Sequence, residues 1–278
     1  MNYRDAYHAG NFADVVKHVL LSLVITHLKR KDTPFRVIDT HAGIGCYDLE
    51  GIEAGKTGEF RDGVGRLLAG PPLPEAFADY LTALRAVNPD WPTLRFYPGS
   101  PCIARALIRP VDALALVELH PEDARQLKQE FAGDPQVGVH AQDAYVALKA
   151  LLPPKERRGL VLIDPPFEVK DEFQRLAKGL SHALDRWPTG IYALWYPIKD
   201  PAPVERFLAE LAGLGRPCLV AELYRYLPDD PERLNGTGLA VLNPPWQLDQ
   251  ALAEVLAVLK DRLGALGEAR VRWLAEPS

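Results

Sequence analysis

No apolar run in the 278 residues approaches the roughly 20 needed to cross a bilayer, so no membrane-spanning helix is expected. Residues 1–5, Met-Asn-Tyr-Arg-Asp, contain no apolar signal core, and a cytoplasmic location is expected. Cysteine is scarce. Cys46, Cys102 and Cys218 are widely spaced and form no CxxC pair, which argues for reduced thiols and against a disulfide framework or a zinc site. No other metal-ligand cluster is visible, and no metal is expected. A basic excess is also missing: 32 Lys and Arg against 37 Asp and Glu give a net charge of −5. That counts against an indiscriminate nucleic-acid binder but leaves room for a local basic face. Lys17, Lys29, Arg30 and Lys31 are candidates for it, as are Lys155, Arg157 and Arg158. With 47% hydrophobic and 25% charged residues, the composition suits one large globular domain over residues 1–278, with room for an insertion.

The stretch that organises the chain is Gly159-Leu160-Val161-Leu162-Ile163-Asp164-Pro165-Pro166-Phe167. Four apolar residues without alternation suit a central strand of a parallel sheet, covered on both faces. Two prolines cannot extend the ladder, so the chain leaves the sheet at Asp164. Ligands of open α/β sheets sit outside the carboxyl ends of the strands. There the Asp164 carboxylate and loop carbonyls can accept hydrogen bonds from an amine on a heterocycle, and the Phe167 ring can stack on it. This stretch resembles the (Asp/Asn/Ser)-Pro-Pro-(Tyr/Phe/Trp) motif of S-adenosylmethionine-dependent amino-methyltransferases. The same letters also fit a plain turn between a core strand and a helix.

The rest of the chain supplies the setting. Residues 1–10 are polar and aromatic and could lie over a site as an N-terminal tail. Asn11 suits the N-cap of a helix over 13–30, with Lys17 and His18 near its start. Residues 35–39 read as the first strand, ending in Asp39-Thr40-His41-Ala42-Gly43-Ile44-Gly45, where small residues let a backbone turn approach a ligand. The loop looks like that of Rossmann-like methyltransferases, since the third glycine of the dinucleotide fingerprint is missing. An acid that reads a ribose normally follows about 20 residues later. Here it is Glu118, at the end of a strand over 113–119, and residues 46–96 read as a helical insertion subdomain that walls the substrate side. Ser100 suits an N-cap with Pro101 at the first helical position. A third strand over 137–140 leads to Asp143, which can accept from an adenine amine or cap the helix over 144–151.

Beyond the Asp164 strand come helices over 171–187, 203–214 and 248–263, and strands over 190–196, 218–227, 237–242 and 269–274. About seven core strands are expected, parallel at first, with an antiparallel hairpin near the end. Asn243-Pro244-Pro245-Trp246 repeats the amino-methyltransferase pattern. It closes a late hairpin strand, so it is read as a structural turn and Asp164 as the catalytic copy.

Taken together, the motifs resemble the RlmJ-type ribosomal RNA methyltransferases along essentially the whole chain. Those that carry the resemblance include Tyr3-Arg4, His8-Ala9-Gly10-Asn11, Lys17-His18, Asp39-Thr40-His41-Ala42-Gly43, Thr57-Gly58-Glu59, Tyr97-Pro98-Gly99-Ser100-Pro101, Glu118-Leu119-His120-Pro121, Asp164-Pro165-Pro166 and Tyr192-Ala193-Leu194-Trp195-Tyr196-Pro197. The resemblance implies a class I, Rossmann-like α/β fold and methylation of N6 of one adenine in 23S rRNA; a monomer is expected, although the sequence does not show the oligomeric state. The resemblance also implies S-adenosylmethionine contacts from His18, His41, Ser100, Glu118, Asp143 and Ala144, with Lys17 placed beside them. Asp164 is the implied catalytic group. Tyr3 and Arg4 of the tail, with Pro165, Pro166 and Phe167, face the RNA. Phe167 stands where tyrosine is common, which keeps the stacking surface and loses a phenol hydrogen bond. Three rival readings are a DNA adenine-N6 methyltransferase, a noncatalytic RNA-binding protein and a nicotinamide oxidoreductase. The oxidoreductase does not explain Asp-Pro-Pro-Phe, and the RNA-binding module predicts a basic face and no cofactor, whereas this chain is acidic and carries the set of strand-end acids.

Overall fold

Eight apolar segments pair into one sheet in a computed structural model that describes residues 5–277. The chain enters through helix α1 (Phe12–Lys29), capped by Asn11, whose Oδ1 accepts from the Ala13 and Asp14 amides. Strand β1 (Arg36–Asp39) follows. A two-stranded antiparallel ribbon, β2 (Cys46–Asp48) and β3 (Phe96–Pro98), brackets the insertion. Between them lie α2 (Ile52–Thr57), α3 (Val64–Leu68) and α4 (Ala78–Val87). These helices are closed off at their base by two strands too short to read from sequence.

Helix α5 (Ser100–Leu107) leads to β4 (Ala113–Glu118), α6 (Pro121–Glu130), β5 (Val137–Ala141), α7 (Ala144–Leu151) and β6 (Gly159–Ile163). Then come α8 (Glu172–Arg186), β7 (Ile191–Ile198), α9 (Pro201–Ala212), β8 (Cys218–Tyr224), β9 (Gly236–Leu242), α10 (Leu248–Arg262) and β10 (Ala269–Ala275). The sheet order is β10-β8-β9-β7-β6-β1-β4-β5. Strands β5, β4, β1, β6 and β7 pair in parallel, while β9 is antiparallel to both β7 and β8. The sheet has eight strands, not seven. The extra one is β10, which pairs antiparallel with β8 and forms an edge.

The unbroken apolar run of β6 follows from this layering. Leu160 and Leu162 point into a cluster with α1, α10 and the insertion, and Val161 and Ile163 into a second cluster with α8 and α9. Phe77, Tyr80 and Leu84 of the insertion share the first cluster with Val19 and Leu20 of α1 and Leu252 and Leu256 of α10. The insertion is thus seated on the same core as the sheet.

Strand β6 runs so close to β1 that its first residue has no room for a side chain. A Cβ on Gly159 would lie 1.9 Å from the Arg36 carbonyl oxygen, at a φ of +155°. We expect Gly159→Ala to lower stability by about 2–4 kcal/mol, from overpacking and an unfavourable backbone angle. That corresponds to a melting temperature roughly 5–15 °C lower, and an unchanged thermal melt would contradict the steric reading.

Strand direction separates the two proline motifs. Leu242 pairs with Tyr192 at the start of β7, so the end of β9 lies at the sheet edge opposite the carboxyl ends of the parallel strands. There Asn243 donates to the Pro188 and Gly190 carbonyls, and Trp246 is exposed. Among the described residues, no helix is long and apolar enough to cross a membrane.

Candidate active site

A cavity of about 950 Å³ opens at the carboxyl ends of the parallel strands. It lies where strand order reverses, since β1 stands between β4 and β6, the usual ligand position of such sheets. Lys17, His41, Glu118, Asp143, Ala144, Asp164, Pro166 and Phe167 line it. Pro165 is buried and is not among the lining residues. Tyr3 and Arg4 lie outside the described residues. The part of the tail that is described reaches the cavity, because Tyr7 and His8 line it. The insertion grips this segment. Glu59 accepts from the Asn11 side-chain amide at 3.0 Å and meets the His8 ring at 3.0 Å, while Thr57 Oγ1 donates to the Tyr7 carbonyl.

Asp164 stands at the end of β6, where the prolines force the chain out of the sheet. Lys17 crosses from α1, donates to Asp164 Oδ2, and lies 2.8 Å from Asp14 Oδ1. One ammonium therefore serves two carboxylates. Burial raises the Asp164 pKa above the usual carboxylate range, with Lys17 opposing it. Asp14 is held below that range: burial would raise it, but Lys17 and His18 outweigh burial. Lys17, grouped with the cofactor contacts in the sequence reading, touches the carboxylate of the proline motif. Asp14, part of the Ala13-Asp14-Val15 motif of the resemblance, has no role in that reading; its spacing of three before Lys17 on a helix was the available signal.

Phe167 adopts a φ of +50°, a left-handed backbone that costs a non-glycine residue roughly 1–2 kcal/mol. Strain of this kind persists where surroundings over-determine it. Here Phe173 and Trp195 brace the ring edge-on, with centroids 4.8 and 5.8 Å away. Trp195 also lines the cavity.

The glycine loop after β1 is tied to β4 by Glu118. Its carboxylate accepts from the Gly43 amide at 2.8 Å and the His120 amide at 2.7 Å, and Gly43 supplies the positive φ of +60° that the turn needs. Burial raises the Glu118 pKa against these backbone donors. His41 bonds Thr40 Oγ1 at 2.9 Å, and burial lowers its pKa to about 4, so it is neutral near pH 7. Asp143 is the N-cap of α7: Oδ1 accepts from the Tyr145 and Val146 amides, while Arg175 lies 4.0 Å from Oδ2.

One residue sits differently from its sequence reading. Ser100 is not an N-cap. Gly99 holds that position without a side-chain bond, and the Ser100 hydroxyl instead bonds Asp39. The reason is the tight β3–α5 turn, which starts the helix at Ser100 and buries its side chain against the end of β1. Lys17 and His18 are both buried. His18, which is not among the lining residues, is bonded to Tyr97 Oη at 2.8 Å, with Nε2 unpartnered and its pKa lowered to about 3 by burial. Asp39 is likewise buried, with Oδ2 unpartnered and its carboxyl raised to about 6 by burial. No cluster of three metal-ligating side chains occurs among the described residues.

Comparison with known proteins follows the same lines. The family model described as "Ribosomal RNA large subunit methyltransferase D, RlmJ" matches residues 32–275. The chain is 43% identical to ribosomal RNA large subunit methyltransferase J of Escherichia coli K12, over 99% of both chains. It is 40% identical, over 99% of both chains, to the protein of the same name from Haemophilus influenzae. A crystal structure of a Legionella pneumophila protein superposes with a TM-score of 0.87 at 34% identity, covering 96% of this chain and 97% of that one. On this sequence match and shared fold, the chain belongs to the RlmJ family of large-subunit ribosomal RNA methyltransferases.

Proposed function

We propose that this protein methylates N6 of an adenine in 23S ribosomal RNA, with S-adenosylmethionine as donor. The observation that carries the proposal is the Asp164 carboxylate, fixed by two prolines at a strand end on the cavity wall and paired with Lys17. The names of the family and its relatives favour ribosomal RNA over DNA as the substrate.

The residues present fit the donor. S-adenosylmethionine carries an ammonium, a sulfonium, a ribose diol and an adenine. The sheet edge offers four carboxylates, Asp39, Glu118, Asp143 and Asp164, and one Asp39 oxygen is buried without a partner. In this reading Glu118 accepts from the ribose hydroxyls, Asp143 and Ala144 flank the adenine, and His41 lines the inner wall, with Asp39, Ser100 and His18 buried outside the lining. When bound, the donor supplies an electrophilic methyl group.

The chain's own work is alignment and proton transfer. An adenine amine is a poor nucleophile because its lone pair is delocalised into the ring. Asp164 and the loop carbonyl after it accept the two amine hydrogens, which favours a nitrogen with a localised lone pair. Asp164 then takes the proton that N6 must lose as the new N–C bond forms. Lys17, donating to Asp164, favours its ionised form against the effect of burial. Phe167 offers a face to the base, which must be unstacked to reach it.

The test is methyl transfer from labelled S-adenosylmethionine to total RNA from a strain lacking the gene, followed by nucleoside analysis. Label in N6-methyladenosine from 23S rRNA is expected. Label in DNA alone would keep the Asp164 chemistry and reject the ribosomal substrate. Label in neither would reject both.

A further inference from the structure

Lys29 is tied to Asp79, and Arg158 to the Leu28 and Thr33 carbonyls. Two of the basic groups conspicuous in sequence thus hold the fold together. A different basic surface emerges between α7 and α8. A groove of about 330 Å³ is lined by Lys149, Arg175, Lys178, His182 and Arg186, and by no carboxylate. On α8 the four residues 175, 178, 182 and 186 follow intervals of three, four and four, which places them on one helix face. They span 11 residues, or roughly 16 Å of helix axis.

The groove has a structural cause. A Cβ on Gly179 would lie 2.3 Å from the Tyr145 ring, so glycine lets α7 and α8 approach and leaves a channel alongside. Its upper end is the cavity rim, because Tyr145 and Arg175 line both spaces. At that rim Arg175 pairs with Glu172 at 3.5 Å and lies over the Tyr145 ring. Lower down, Arg186 donates to the Leu152 carbonyl at 3.1 Å. Lys149 and Lys178 are exposed and make no ion pair among the described residues. A chain of net charge −5 thus gathers cations along one line that starts at its methyl-transfer cavity.

We propose that the α7–α8 groove binds the phosphate backbone of the RNA strand that flanks the target adenine. This rests on the function proposed above. A strand with one base in the cavity must lay its neighbouring phosphates on the surrounding surface, and beyond the rim, where Glu172 and Asp143 lie near Arg175, the groove is lined by cationic side chains and by no carboxylate. Contacts of this kind position the strand and carry no sequence information.

Lys149→Gln with Lys178→Gln tests it. Both residues are exposed on helices that tolerate glutamine, and neither lines the cavity. Each single-strand phosphate contact contributes about 0.7 to the slope of log K against log salt. The double variant should therefore lose about 1.4 from the slope and bind a 23S rRNA fragment roughly twentyfold more weakly at 0.1 M salt. kcat at saturating RNA and S-adenosylmethionine affinity should be unchanged. A control, Lys128→Gln with Lys260→Gln on other helices, should leave the slope as in wild type. An active wild-type enzyme whose slope and affinity do not change in the groove variant overturns the groove alone. A wild-type enzyme that methylates no RNA overturns the functional reading, and the groove with it.

Discussion

Asp164→Asn should lower the single-turnover rate of methyl transfer about 10³-fold, and S-adenosylmethionine affinity should stay within a few-fold of wild type. Asparagine keeps the size and one acceptor oxygen of the side chain. It removes the charge and the basic site that takes the N6 proton. General-base catalysis of this kind contributes about 10²–10⁴-fold, and 10³-fold corresponds to about 4 kcal/mol of barrier. Lys17 keeps Asp14 as a partner 2.8 Å away, so the substitution leaves no isolated buried cation. Rapid-quench kinetics with calorimetric titration of the donor separates the two effects. A rate within tenfold of wild type would remove Asp164 from the chemistry. A parallel collapse of donor affinity would assign it to cofactor binding instead.

Lys17→Met should cost about 10²-fold at pH 7, and its distinguishing mark is the pH profile. Burial raises the Asp164 pKa, Lys17 lowers it, and the Asp14 charge raises it. Without the ammonium only the two raising influences remain, so the pKa rises further. The active form is the carboxylate, present above that pKa. The acid limb of the kcat profile should therefore move to higher pH, and part of the lost rate should return as pH rises toward 9. Breaking a buried pair by removing one partner costs about 3–5 kcal/mol, enough for a displacement of this kind. A uniformly reduced rate with an unshifted acid limb would show that Lys17 only supports the fold.

The contrast between these two residues marks what sequence could and could not convey. Asp164 was legible because its position follows from local rules: an apolar run makes a buried strand, prolines end it, and strand ends carry ligands. Glu118 and Asp143 were legible as strand-end acids for the same reason. The Lys17–Asp164 contact was not, because the partners are 147 residues apart and no periodicity links a helix face to a distant strand end. Ser100 was misread because serine before proline is a strong local cap signal, whereas the β3–α5 turn is set by pairing across the insertion. The eighth strand was present as a segment, but β10 could not be assigned to the main sheet without its partner β8. Phe167 could be chosen as a stacking ring, but its left-handed backbone depends on Phe173 and Trp195, which arrive from elsewhere.

The span between Lys17 and Asp164 also imposes an order in time. At about 5–20 residues per second, roughly 7–30 seconds of synthesis separate the ammonium from the carboxylate it will face. During that interval α1 lacks β6, and the partners already made for its apolar side, which includes Val15, Val19, Leu20 and Val24, are those of α4 and α5. The amine-accepting group itself appears only with the sixth strand. On the function proposed here, a nascent chain still tethered to the ribosome is inert toward the ribosomal RNA around it until more than half of its length has been made.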